Sequence, residues 1–168
     1  EATLPVSEDG TFRFPAPIEQ GSDYTVTVAT QPATQTCSVT NGNGTAGSGD
    51  VTTVAVACVT HVRTIGGTLS GLVGSLTLAN GTDTLALSSD GTFHFAVPVA
   101  QGTGYEVTVS LQPTIQTCTV EHASGVTGLD DVTDVAVTCV TNTRLLSVVV
   151  SGLLGTLELA NGSDSLSV

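Results

Sequence analysis

The sequence contains no lysine, and its three basic residues are all arginines: Arg13, Arg63 and Arg144. Against them stand 15 acidic residues, which give a formal net charge of -12. A surface that binds nucleic acid or an anionic membrane needs clustered positive charge. We therefore expect neither of these partners.

Tryptophan and methionine are also absent, and long apolar runs are missing. The longest run near the end, from Leu145 to Val150, is interrupted by Ser147 and is far shorter than the ~20 residues of a membrane-spanning helix. The chain should nevertheless fold, because 40% of its residues are hydrophobic. Membrane insertion is not predicted.

An internal repeat of 81 residues organises the sequence. Cys118 follows Cys37 by 81 positions, and Cys139 follows Cys58 by the same distance, without any insertion. At this offset 87 positions can be compared (168 minus 81), and 44 of them are identical. A unit of this length is typical of a tandem domain, since solenoid units run to about 20–50 residues.

The repeat divides the chain into three parts. Residues 1–63 correspond to the C-terminal part of one repeat, residues 64–144 form a complete repeat, and residues 145–168 correspond to the opening strands of a third. Because both ends fall inside a repeat and residue 1 is not methionine, we expect a piece of a longer or processed chain.

Alternating polar and apolar residues predict about seven strands in the complete repeat, and helical periodicity is absent. The hairpin turn is expected at Asn80-Gly81, and the next strand places Phe93, Phe95 and Val97 on one face. Half-buried strands need a second apolar face to pack against. The sequence therefore predicts an all-β fold of tandem antiparallel β-sandwich repeats.

The aromatic residues occupy the same three places in both copies. Such in-phase rings are typical of a packed core rather than of an exposed binding platform. They are Phe12, Phe14 and Tyr24 in the first copy and Phe93, Phe95 and Tyr105 in the second.

The four cysteines predict one disulfide per repeat, Cys37 with Cys58 and Cys118 with Cys139, because each copy must work as a unit. A zinc site is the alternative, but neither pair has the close spacing of a thiolate knuckle. Disulfides indicate an oxidising, extracellular or cell-surface location. They would also have to replace Lys–Asn amide cross-links, which this lysine-free chain cannot form.

Catalytic and metal-binding patterns are weak, so we expect no enzyme activity, no cofactor and no metal. None of the histidines recurs: His94 aligns with Arg13, and His61 and His122 align with asparagines. Calcium is an alternative at the recurring Asp50 and Asp131, with acidic neighbours in the second copy. These neighbours are Glu121, Asp130 and Asp134, of which the last two align with Gly49 and Thr53, and this favours a solvated turn.

Three sequons are candidate glycosylation sites, at Asn43, Asn80 and Asn161. We expect all three in exposed loops or turns. The hairpin itself favours Asn-Gly at the last two positions, so turn geometry alone also explains them.

Several motifs of the repeat resemble the tandem immunoglobulin-like (Ig-like) repeats of secreted or surface-anchored bacterial proteins. The motifs are Gly71-Leu72 with Gly74, Asn80-Gly81, Asp90-Gly91-Thr92-Phe93, Tyr105-Glu106-Val107-Thr108-Val109, Gln112-Pro113, Gln116-Thr117-Cys118 and Val135-Ala136-Val137-Thr138-Cys139. The resemblance implies extracellular stalks, adhesins and filaments. True immunoglobulin domains differ, because they carry a core tryptophan that this chain lacks.

The two end fragments are complementary, which predicts a structural role in a filament or stalk. We expect residues 145–168 to complete the sandwich of a neighbouring unit's residues 1–63, either as a strand donated between subunits or as the next stretch of one continuous chain. The apolar contacts would come from Leu153, Leu157, Leu159, Leu166 and Val168. The alternative function is an adhesive or carbohydrate-binding module.

Overall fold

A computed structural model describes residues 2–162 and the backbone of residues 164–167, and these residues form strands, turns and loops without any helix. The fold is all-β. Five strands precede the complete repeat: β1 (Asp23–Thr25), β2 (Gln35–Thr40), β3 (Asn43–Thr45), β4 (Ala55–Thr60) and β5 (Val62–Arg63).

Nine strands belong to the complete repeat, of which seven have four or more residues. They are β6 (Ile65–Ser70), β7 (Leu76–Asn80), β8 (Asp83–Leu87), β9 (Gly91–His94), β10 (Val99–Ala100), β11 (Gly104–Leu111), β12 (Gln116–Glu121), β13 (Ser124–Val126) and β14 (Val132–Thr141). A last hairpin consists of β15 (Glu158–Asn161) and β16 (Asp164–Ser167).

The complete repeat is a β-sandwich of two four-stranded sheets. One sheet has the order β13-β11-β7-β8, and the other has the order β12-β14-β6-β9. Their inner faces share one hydrophobic core, because the period of two turns every second apolar side chain inward. The core consists of Ile65, Leu69, Leu76, Leu78, Phe93, Phe95, Val107, Cys118, Val135, Val137 and Cys139.

One pair of strands is parallel, which differs from the antiparallel arrangement expected from the sequence. The first strand, β6, pairs in parallel with the last, β14, and antiparallel with β9. Alternation along a strand shows which side chains point inward but not in which direction a distant partner runs. The pairing of β14 with β6 closes the repeat by joining its two ends.

Two local expectations are corrected by the structure. The hairpin loop is Gly81-Thr82, one residue later than expected, because Asn80 still pairs with Asp83 and the positive φ of 60° falls on Gly81. A glycine at the first loop position suits a II′ turn. Val97 does not share the core face of Phe93 and Phe95: strand β9 ends at His94, and Val97 is exposed.

Candidate interface between repeats

The first repeat folds as two separate pairs of strands with the same registers as the complete repeat. Strand β1 pairs with β3 as β11 pairs with β13, and β2 pairs with β4 as β12 pairs with β14. Disulfides join β2 to β4 through Cys37 and Cys58, and β12 to β14 through Cys118 and Cys139. The counterparts of β6 and β7 do not exist within residues 1–63.

The missing strands leave apolar side chains of the first repeat exposed. Phe14 is 39% exposed, whereas its counterpart Phe95 in the complete repeat is 1% exposed. Val56 is 57% exposed and its counterpart Val137 is 1% exposed. The first repeat lacks β6 and β7, and its counterparts of β8, β9 and β10 form no strands, so these apolar side chains have no facing strands to cover them.

A cleft of about 430 Å³ marks the place of the missing strand next to β1. Its lining includes Val26, Thr27 and Val28. In the complete repeat the matching segment of β11 pairs with β7, with Val107 opposite Asn80 and Val109 opposite Leu78. The cleft therefore has the position of a β7-type strand.

Residues 145–162 carry strands of this type. Leu157 and Leu159 are half-buried, and they match Leu76 and Leu78, which are fully buried in the core of the complete repeat. Leu153 is 45% exposed. Leu166 lies opposite Leu159 in the last hairpin, but its side chain lies outside the described residues, as does the whole of Val168.

Two further residues of this segment were missed by the sequence prediction. Leu146 matches Ile65 and Val150 matches Leu69, both of which are buried in the complete repeat. Leu146 is 73% exposed, and residues 145–150 form no strand here. The 81-residue offset could have identified both, because it places them on the inward face of the opening strand.

The opening strand of the third copy is not identical to β6, and the difference falls at a close backbone approach. Gly67 lies so near β14 that an added Cβ would overlap the carbonyl oxygen of Val135. The third copy has Ser147 and Val148 in place of Gly66 and Gly67. A strand with Val148 at this place therefore cannot approach its neighbour as closely as β6 approaches β14.

The linker between the first two repeats is fixed to both of them by hydrogen bonds. His61 Nδ1 donates to Gln101 Oε1 over 3.1 Å. Its other ring nitrogen, Nε2, lies 2.8 Å from the Thr36 hydroxyl. The backbone N–H of His61 donates to the carbonyl of Thr34 over 2.9 Å. Strand β5 of the linker also pairs with β10 of the complete repeat.

Arg63 completes this junction. Its guanidinium donates to Gln101 Oε1 over 2.9 Å and to the carbonyl of Gly128 over 3.2 Å. The following residue, Thr64, donates its backbone N–H to Asp131 Oδ1 over 2.7 Å. The linker is consequently held by hydrogen bonds to both repeats.

The two recurring aspartates accept hydrogen bonds from different groups. Asp131 accepts a hydrogen bond from the backbone N–H of Thr64. Asp50 in the first repeat forms an exposed ion pair with Arg13 over 3.1 Å. In the described part of the chain no three or more His, Cys, Asp or Glu side chains come together as metal ligands.

Tyr105 has a packing role rather than a chemical one. Burial raises the pKa of its phenol, and the negative charge of Asp134 adds to the effect. Its ring lies against Gly125, where an added Cβ would come within 3.0 Å of it. Tyr24 and Gly44 form the same contact in the first repeat.

The three sequon asparagines occupy different surroundings. Asn43 is exposed but lies in strand β3, not in a loop. Asn80 is half-buried at the end of β7, and its Oδ1 accepts a hydrogen bond from the Glu106 backbone over 3.1 Å. Asn161 is exposed at the end of β15. Glycosylation stays a prediction at each position.

The carbohydrate-binding alternative requires exposed aromatic rings. In the complete repeat Phe93 and Phe95 are buried and pack edge to face, with centroids 6.3 Å apart. Tyr105 is half-buried. No specific feature of the complete repeat therefore favours this alternative.

No protein-family model, curated protein sequence or solved structure matches this chain at a significant level. Among the residues described, the structure contains no helix that is long and apolar enough to span a membrane. The two disulfides are typical of an oxidising environment outside the cytoplasm. The comparison between copies within the chain is thus the basis for a functional interpretation.

Proposed function

We propose that this chain is a structural segment of an extracellular filament or stalk, built from tandem Ig-like repeats of 81 residues. In this proposal the opening strands of one repeat complete the sandwich of the neighbouring unit. The role is mechanical and not catalytic. The neighbour is an identical chain or a continuation of the same chain.

The observation that carries the proposal is the contrast between matched residues. Phe14 and Val56 are exposed where their counterparts Phe95 and Val137 are 1% exposed. Monomeric proteins rarely leave a contiguous apolar face of this kind in water. The sequences of the strands that cover it in the complete repeat recur in residues 145–162, where β15 pairs with β16 in a two-stranded sheet.

The hydrogen bonds that hold the linker support a mechanical or spacing role. An array of independent domains on flexible linkers would bend at each junction. Here the linker has paired strands and bonds to Thr34, Gln101, Gly128 and Asp131. Such junctions give an array a defined direction.

Sedimentation velocity over a range of chain concentrations tests the proposal, with electron microscopy of the resulting particles. We expect linear, head-to-tail oligomers of the full chain. A variant ending at Arg144 is the control, and it should remain a monomer while circular dichroism shows that its β-structure is retained. A full-length chain that stays monomeric at every concentration would refute completion by a second chain.

A further inference from the structure

The linker between the first two repeats contacts a set of hydrogen-bond acceptors in the complete repeat, and the first repeat carries the matching residues. The acceptors contacted by the linker are Gln101, Gly128 and Asp131, which match Gln20, Gly47 and Asp50 of the first repeat. We call these last three residues the arginine-acceptor surface. Gln101 is 9% exposed under its linker, whereas Gln20 is exposed.

The arginine-acceptor surface is already formed in the first repeat. Gly21 donates its N–H to the carbonyl of Ala46 over 2.8 Å, and Ala46 donates to Ser22 over 2.9 Å. The matching bonds of the complete repeat, from Gly102 and from Thr127, are both 2.9 Å long. An incoming linker therefore meets a loop that needs no refolding before it binds.

The linker that leaves the complete repeat begins in the same way as the first linker. Asn142 donates its N–H to the carbonyl of Ile115 over 2.8 Å, as His61 does to Thr34. The Thr117 hydroxyl lies 2.7 Å from Asn142 Oδ1, as the Thr36 hydroxyl lies near the His61 ring. The chain thus leaves both repeats along the same path.

Arg144 follows at the place of Arg63. Its guanidinium donates to the carbonyl of its neighbour Thr143 over 3.0 Å. We propose that Arg144 binds the arginine-acceptor surface of a second copy of this chain, with bonds to Gln20 and to the carbonyl of Gly47. This inference rests on the proposed completion of the first repeat by residues 145–162.

Charge favours this contact over other pairings of two copies. Each chain carries a net charge of -12, so most surfaces of two copies repel each other. Arg144 and Asp50 are of opposite sign at the ends that the proposal joins. Arg13 and Asp50 form an exposed ion pair, with side chains 83% and 76% exposed, so Arg13 can share the Asp50 carboxylate with an incoming backbone N–H.

A cysteine pair across the proposed junction gives a direct readout. Thr68 on β6 lies opposite Thr92 on β9, and both are exposed. Their counterparts between two copies are Val149, which is 94% exposed, and Thr11. Residues directly opposite on antiparallel strands are close enough for a disulfide. Thr11→Cys with Val149→Cys should cross-link two chains under mild oxidation, whereas Thr11→Cys with Leu154→Cys should not.

Arg144→Ala in the cysteine-pair background tests the arginine contact separately. Loss of charge-assisted hydrogen bonds should raise the chain concentration for half-maximal cross-linking about tenfold. Leu154→Ala in the same background is the control, because Leu154 is 99% exposed and its counterpart Val73 is exposed in the complete repeat, and it should leave that concentration unchanged.

The outcomes separate the two proposals. If no intermolecular cross-link forms with the Thr11 and Val149 cysteines, or if the cross-link is intramolecular, completion by a second chain is wrong. If the cross-link forms equally well with Arg144→Ala, completion stands and the arginine contact is wrong. A tenfold shift with Arg144→Ala and none with Leu154→Ala supports both.

Discussion

Substitution of Leu159 by alanine should weaken the association of two chains without unfolding either repeat. Leu159 lies in β15 outside the complete sandwich, and its counterpart Leu78 is fully buried. Truncation of a fully buried leucine costs about 2–5 kcal/mol. Since Leu159 is already half-buried in the separate chain, we expect roughly half of this, about 2 kcal/mol.

This free energy corresponds to a dissociation constant about 30-fold higher. Sedimentation velocity over a concentration series measures it. Leu154→Ala is the matched control, because Leu154 is 99% exposed and its counterpart Val73 is exposed in the complete sandwich. Leu78→Ala measures the cost of the same truncation at the buried counterpart of Leu159. It should lower the unfolding free energy of the complete repeat by about 2–5 kcal/mol. Equal effects of Leu159→Ala and Leu154→Ala on association would refute the reasoning.

Three further predictions concern the complete repeat. Replacing both Cys118 and Cys139 by serine should lower its unfolding free energy by about 3 kcal/mol, because the loop they close spans 21 residues, and urea denaturation measures the change. Gly67→Val should lower the midpoint of its thermal transition in calorimetry without abolishing the transition, since a Cβ there overlaps the β14 backbone and the two strands must move apart to admit it; an unchanged midpoint would contradict this close approach. Asp131→Ala should increase the hydrogen exchange rate of the Thr64 amide, whereas Asp130→Ala, at a neighbouring exposed residue, should not.

The sequence was sufficient to predict the elements that depend on local pattern and on the repeat. Alternation identified the seven longer strands, and the 81-residue offset predicted which cysteines pair. Phe93 and Phe95 were correctly placed in the core, whereas Phe12 and Phe14, expected there as well, are exposed. These features depend on neighbouring residues or on comparison of one copy with another, and both are visible in a single sequence.

Other features depend on contacts between distant parts of the chain and were not predictable. The parallel pairing of β14 with β6 is one, because alternation carries no information on strand direction. The exposed position of Val97 is another such feature, because its backbone N–H donates to the side chain of Asp83. The role of Arg63 at the linker also became visible only when Gln101 and Gly128 were seen around it.

Electron cryomicroscopy of assembled chains tests the central claim most directly. Since β14 has 10 residues, we expect an axial spacing of about 35 Å per repeat and about 70 Å per chain. Density for residues 145–162 of one chain should extend both strand pairs of the next chain's first repeat, with one strand beside β1 and the other beside β4. Density that shows residues 1–63 as a closed sandwich without strands from any neighbouring unit would contradict the account.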